Sequence, residues 1–115
     1  MTLPELLRWQ HSGYPRYHAL RANLLLHIVA VPLFWVGNLT LVWGLWHAGW
    51  GLALGGVVAM VVSLAAQGRG HRMETVPSEP FTSPAQAAAR LFFEQWITFP
   101  RFLLSGGWWR ALRAS

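Results

Sequence analysis

Two long apolar runs dominate the chain. The first extends from about Leu24 to Trp46; at 1.5 Å per residue its roughly 23 residues reach about 34 Å, enough to cross a bilayer core. Pro32 and Gly37 lie inside it, as kink sites that a spanning helix tolerates. The second run is about Trp50 to Ala66, and its roughly 17 residues sit at the lower limit for spanning. "WHAGW", residues 46–50, forms the turn between them, with Trp43, Trp46 and Trp50 as an aromatic belt. Gly51 and Gly55 form a GxxxG that predicts close packing of this span on the first; the same motif would serve a homo-oligomer.

Polar residues gather outside the runs. Thr2 and Glu5 have capping-box spacing with Pro4 in the first turn, and Leu3, Leu6 and Leu7 share a face. They predict a short amphipathic helix ending near Ser12-Gly13. Residues 67–84, "QGRGHRMETVPSEPFTSP", read as a polar connector. Ser83, Pro84 and Gln86 then start a helix that runs to about Phe99, before Pro100, with Arg90 and Glu94 as an i,i+4 pair. It reads as interfacial or partly inserted, followed by a basic aromatic tail at Trp108, Trp109, Arg110 and Arg113. The expected fold is all-α: an integral membrane helical hairpin of two spans with flanking interfacial or partly inserted helices, one domain over residues 1–115.

Composition agrees. The chain is 54% hydrophobic and 11% charged, against about 25% charged in soluble domains, and a small soluble domain could not hide so much apolar surface. With no cysteine, disulfides, thiolate metal sites and cysteine nucleophiles are excluded. The net charge is +5 and all nine basic residues are arginine, dispersed among Trp and Leu. That pattern favours anionic lipid headgroups over nucleic acid. No arginine lies between the spans, so the positive-inside rule puts both termini in the cytoplasm. The N-terminus lacks the basic start and apolar core of a signal peptide.

The hairpin sorts the histidines. His18 lies just before the first span, His27 just inside it and His71 just after the second, so the three share one side of the membrane. His47 sits in the opposite turn and reads as a belt residue; His11 lies in a flexible, polar stretch. Glu74 follows His71 by three residues, on the same face if that segment is helical. Histidines and a carboxylate from different segments form the donor set of non-haem ferrous iron or of zinc. One obstacle is geometric. His18 and His27 are nine positions apart, about 900° on an ideal helix, and so point to opposite sides. Both reach one metal only if the helix starts after His18 or bends. Asn23 and His27 share a face. Arg16, Arg21, Arg69 and Arg72 read as headgroup contacts, or as partners of a substrate carboxylate.

"Y-x3-H-x4-N-x3-H-x4-P" (Tyr14, His18, Asn23, His27, Pro32) followed by "Q-x2-G-H-x2-E-x2-P" (Gln67, Gly70, His71, Glu74, Pro77) resembles the small membrane 2-hydroxy fatty acid dioxygenases. Their characterised yeast member acts in phytosphingosine breakdown at the endoplasmic reticulum. The resemblance covers about Tyr14 to Pro77; the C-terminal third matches only in general character. It implies an Fe(II)-dependent enzyme that uses O2 to shorten a 2-hydroxy fatty acid by one carbon. By position it makes His18, His27 and His71 iron ligands and Glu74 a further ligand or a base. Asn23 and Gln67 would orient ligands, Tyr14 would hydrogen-bond substrate or an oxygen species, and Arg21 and Arg72 become carboxylate partners. Two other readings stand beside it: a haem-binding membrane protein with His27 and His71 as axial ligands, and a non-catalytic membrane or lipid-binding module whose polar residues only pack the hairpin.

Overall fold

The computed structural model describes all 115 residues, every ordered element of which is helical. The order is α1 (Leu3–Tyr17), α2 (Arg21–Trp46), α3 (Trp50–Met73), α4 (Pro84–Phe93), a π-helical turn (Glu94–Thr98), α5 (Phe99–Leu104) and α6 (Gly107–Ala114).

Helix α1 starts as expected, with Thr2 Oγ1 accepting from the Glu5 N–H and Pro4 in the first turn. It does not stop at Ser12-Gly13 but continues through Gly13 and Pro15 to Tyr17. Leu6, Gln10 and Tyr14, spaced four apart, form one buried face, and its burial against the C-terminal segment outweighs the helix-breaking tendency of Gly13. His11 is therefore on a helix, not in a flexible stretch.

Helices α2 and α3 are both long and apolar enough to cross a membrane, with mean hydropathy 1.9 and 1.7 over their most apolar windows. Only 28% and 22% of those windows is buried, so most of their apolar surface faces outward. Val29, Val36, Leu39 and Val42 on α2, and Leu54, Val58, Val61 and Val62 on α3, present an exposed apolar wall. Close approach is made by glycines, though not by the GxxxG. A Cβ on Gly44 would meet Ala53 N at 2.5 Å, and one on Gly56 would meet Gly37 O at 2.6 Å. Gly51 and Gly55 have nothing within 4 Å. The face of α3 turned to α2 carries Ala53 and Gly56, and at about 100° per residue Gly51 and Gly55 are rotated away from it.

Helix α3 also runs seven residues past Ala66, so much of the expected connector is its last two turns. Buried Gln67 and Gly70 hold those turns against the rest of the protein.

The C-terminal third is built in rather than laid on the surface. Ser83 caps α4 through the Gln86 N–H. The helix does not end before Pro100. It widens instead: the Phe99 N–H donates to Glu94 O, five residues back. Proline lacks an N–H and its ring crowds the carbonyl four residues earlier, which the wider turn relieves. Phe99 and Phe102 then join Tyr14, Leu24 and Val31 in the core. After a left-handed Gly106 (φ 84°), α6 folds back and buries Trp108, whose indole N–H donates to Leu24 O at 3.1 Å. Trp108 is thus a core residue, not part of an interfacial tail.

Candidate metal centre

Three histidine rings meet at one end of the hairpin. Ring centroids are 4.7 Å apart for His18–His27, 4.6 Å for His18–His71 and 5.0 Å for His27–His71. The interplanar angles are 89°, 80° and 81°, so the rings are mutually perpendicular around a common point. One nitrogen from each lies within 4.8 Å of the others. Metal–imidazole bonds of about 2.1 Å put such nitrogens about 3.0–3.4 Å apart, so a bound ion would draw the set inward.

The chain break makes this possible. Helix α1 ends at Tyr17, His18 adopts φ −132° and ψ 63°, and α2 begins at Arg21. His18 therefore lies in the junction between α1 and α2, off the helix that carries His27, and the half-turn offset of a continuous helix does not arise.

Two of the rings are held from behind. His18 Nδ1 lies 2.9 Å from Tyr14 O, and His27 Nδ1 lies 3.0 Å from Asn23 O. A carbonyl only accepts, so both Nδ1 atoms carry the proton and both Nε2 atoms hold a free lone pair. Those two Nε2 atoms, and His71 Nδ1, are buried with no hydrogen-bond partner. Buried polar atoms are normally paired. Converging unpaired imidazole nitrogens, with the opposite nitrogen tied to a carbonyl, are the arrangement that a divalent metal satisfies. Burial first, then the neighbouring rings of His27 and His71, hold His18 well below the ordinary histidine range, so it is an unprotonated donor at neutral pH. The Tyr14 ring stacks on His18 at 3.6 Å and 2°.

Glu74 stands elsewhere than its spacing implies. Helix α3 ends at Met73 and Glu74 is extended, which takes it off the helical face of His71. Its carboxylate accepts from the Ala19 and Leu20 N–H groups and, at 2.8 Å, from Asn23 Nδ2. It caps the N-terminus of α2, where a negative charge is favoured, and is not one of the clustered ligands. Asn23, fully buried, thus links the Glu74 cap to the His27 ring. Gly70 makes room for it: a Cβ there would collide with Asn23 Oδ1. Gln67 orients no histidine. It exchanges two 2.8 Å hydrogen bonds with Gln95 and donates to Ser63 Oγ, which ties α3 to the π turn.

A cavity of about 510 Å³ opens beside His18 and His71, within the usual range for small-molecule sites. Tyr14, Arg72, Arg90 and Glu94 also line it; Arg21 does not, and donates instead to Leu112 O. The Tyr14 hydroxyl has no protein partner; burial, then Glu94, push it well above its usual range. Arg90 is only 9% exposed and lies between the rings of Trp9 and Phe81, 5.0 and 4.5 Å from their centroids. Its single hydrogen bond, to Pro80 O, uses one of five donors. Glu94 Oε1 lies 3.5 Å from His18 Nε2. Burial pushes Glu94 up to about 7, against the pull of Arg90.

Arg90 and Glu94 were visible in the sequence only as a helical surface pair. Nothing in their spacing shows that α1 covers them. The buried amide pair Gln67–Gln95 is equally hidden, because Gln67 reads as the first residue of a polar connector. His47, by contrast, lies at the far turn, stacked on Trp43 at 4.1 Å. No family model, curated protein or solved structure matches this chain.

Proposed function

We propose that the protein is a membrane-embedded Fe(II)-dependent dioxygenase that converts a 2-hydroxy fatty acid and O2 to the one-carbon-shorter acid, CO2 and water. The observation that carries this reading is the set of three perpendicular, buried imidazoles with unpaired nitrogens, opening on a cavity at one end of an apolar hairpin. His18, His27 and His71 would hold the metal. Bound iron would supply Lewis acidity and electrons for O2 chemistry. The reaction RCH(OH)COOH + O2 → RCOOH + CO2 + H2O balances without an outside reductant.

The residues around the cavity suit such a substrate. Arg90, desolvated and with free donors, matches a carboxylate, with Arg72 on the same cavity wall. The Tyr14 hydroxyl is a free donor beside His18. The acyl chain can follow the exposed apolar wall into lipid, each buried CH2 contributing about 0.8 kcal/mol. Arginine placement favours cytoplasmic termini, with the site on that face of the membrane.

Haem fits less well. His18 lies 4.7 and 4.6 Å from His27 and His71, leaving no room for a macrocycle between them. A purely structural role leaves three unpaired buried nitrogens unexplained. The test is incubation of iron-replete protein with 2-hydroxypalmitate: pentadecanoate and CO2 should appear with equimolar O2 loss. Intact substrate rejects the proposal.

A further inference from the structure

We infer that Glu94, rather than Glu74, is the carboxylate that joins the three histidines in holding the cation. The inference rests on the metal reading above and adds a ligand to it.

His18 Nδ1 donates to Tyr14 O, so Nε2 bears a lone pair. The nearest charged group to it is Glu94 Oε1, at 3.5 Å. Two acceptors facing each other repel unless something positive lies between them. A shared proton would bring them to about 2.7 Å, the usual O–H···N or O–H···O length, so 3.5 Å is too long for that. Bonds of about 2.1 Å at a tetrahedral angle separate two donors on one ion by about 3.4 Å, which the His18–Glu94 pair matches. Glu94 stands outside the close group of three histidine nitrogens and would join them by a side-chain shift.

The surroundings agree. The Glu94 carboxylate makes no hydrogen bond, whereas Glu74 is occupied by three N–H donors of the α2 N-terminus and Asn23. Glu94 lines the same cavity as His18 and His71. It is also the first residue of the π-helical turn. Wide turns of this kind are frequent at functional sites, because they rotate side chains off the α-helical register. Pro100 holds the turn in place, and Arg90, one helical turn earlier, supplies a balancing positive charge. The donor set then becomes three neutral imidazoles and one carboxylate, which suits a borderline divalent ion such as Fe(II) or Zn(II).

The test uses the full chain in detergent and Co(II) alone as probe. Wild type should bind one equivalent with a visible ligand-field band. Glu94→Gln should weaken binding about 100-fold or more and shift the band, and acetate should restore the band in Glu94→Ala. Glu74→Gln should keep the band. Because the chain has only four acidic side chains, infrared spectra can follow the carboxylate directly. Cobalt should shift a carboxylate stretch in wild type and in E74Q, so the result does not depend on an E94 variant folding. An unchanged band and affinity in E94Q, or a carboxylate shift that disappears in E74Q, overturns the inference. A wild-type chain that takes up no cobalt overturns the metal reading itself.

Discussion

His18, in the junction after α1, and His27, on α2, meet edge to face across nine positions, with ring centroids 4.7 Å apart at 89°. The relationship depends on the break at residues 18–20. That break is closed by Glu74, which accepts from both Ala19 and Leu20 N–H groups. A residue just past the end of α3 therefore holds the junction that places the His18 ring against the His27 ring on α2.

Replacing that cap should loosen the site from a distance. Glu74→Gln is expected to cost about 1–2 kcal/mol of stability through the lost charged cap. It should weaken metal binding about tenfold, as changes in groups that orient ligands do. Thermal melting and cobalt titration of the same sample measure both effects.

Two glycines two positions apart, on nearly opposite sides of α3, separate packing from propensity. Gly70→Ala drives a methyl group into Asn23 Oδ1, while Gly68 has nothing within 4 Å. G70A should cost about 1–3 kcal/mol and disturb metal binding through Asn23 and His27. G68A should be neutral or slightly stabilising, since alanine is the better helix former. Melting temperatures of the two variants make the comparison.

Much of this architecture was readable in advance. Both spans, the tight turn, the capped start of α1 and the gathering of His18, His27 and His71 on one side follow from hydropathy, capping chemistry and topology. What stayed hidden depended on tertiary burial. Gly13 and Pro15 look like a helix end until Leu6, Gln10 and Tyr14 have a surface to bury against. Pro100 looks like a stop until the π turn absorbs it. Glu74 at i+3 from His71 looks like a ligand because spacing cannot tell that the helix ends at Met73. Glu94 looks like half of a surface pair because nothing local shows that His18 folds over it.

Metal-stripped protein should show an unusual pH response. Burial raises folded Glu94 from 4.5 to about 7, so the folded state holds this proton more tightly and stability is lost as pH rises through that window. Folded His18 is lowered, so its contribution runs the other way and is lost as pH falls below about 6.5. The difference between wild type and Glu94→Gln isolates the first effect. Wild type should lose about 3 kcal/mol relative to E94Q between pH 4.5 and pH 7.5 or above. Parallel melts of the two proteins across pH, in the presence of chelator, measure it.

Of the arginines, Arg90 should matter most for an anionic substrate. Arg90→Gln should raise KM for a 2-hydroxy acid about 10- to 100-fold, the worth of a desolvated charge-assisted pair. Arg90→Lys should recover part of the loss. Arg21→Gln, which removes a contact to Leu112 O outside the cavity, should leave KM unchanged. Steady-state O2 consumption by the four proteins compares them.

The most direct test of the account is elemental analysis of protein purified gently and without chelators, alongside a His71→Ala variant whose helix content matches wild type. The account predicts about one iron per wild-type chain and essentially none in H71A. Metal-free wild-type protein, or an H71A variant that keeps its iron, would contradict it.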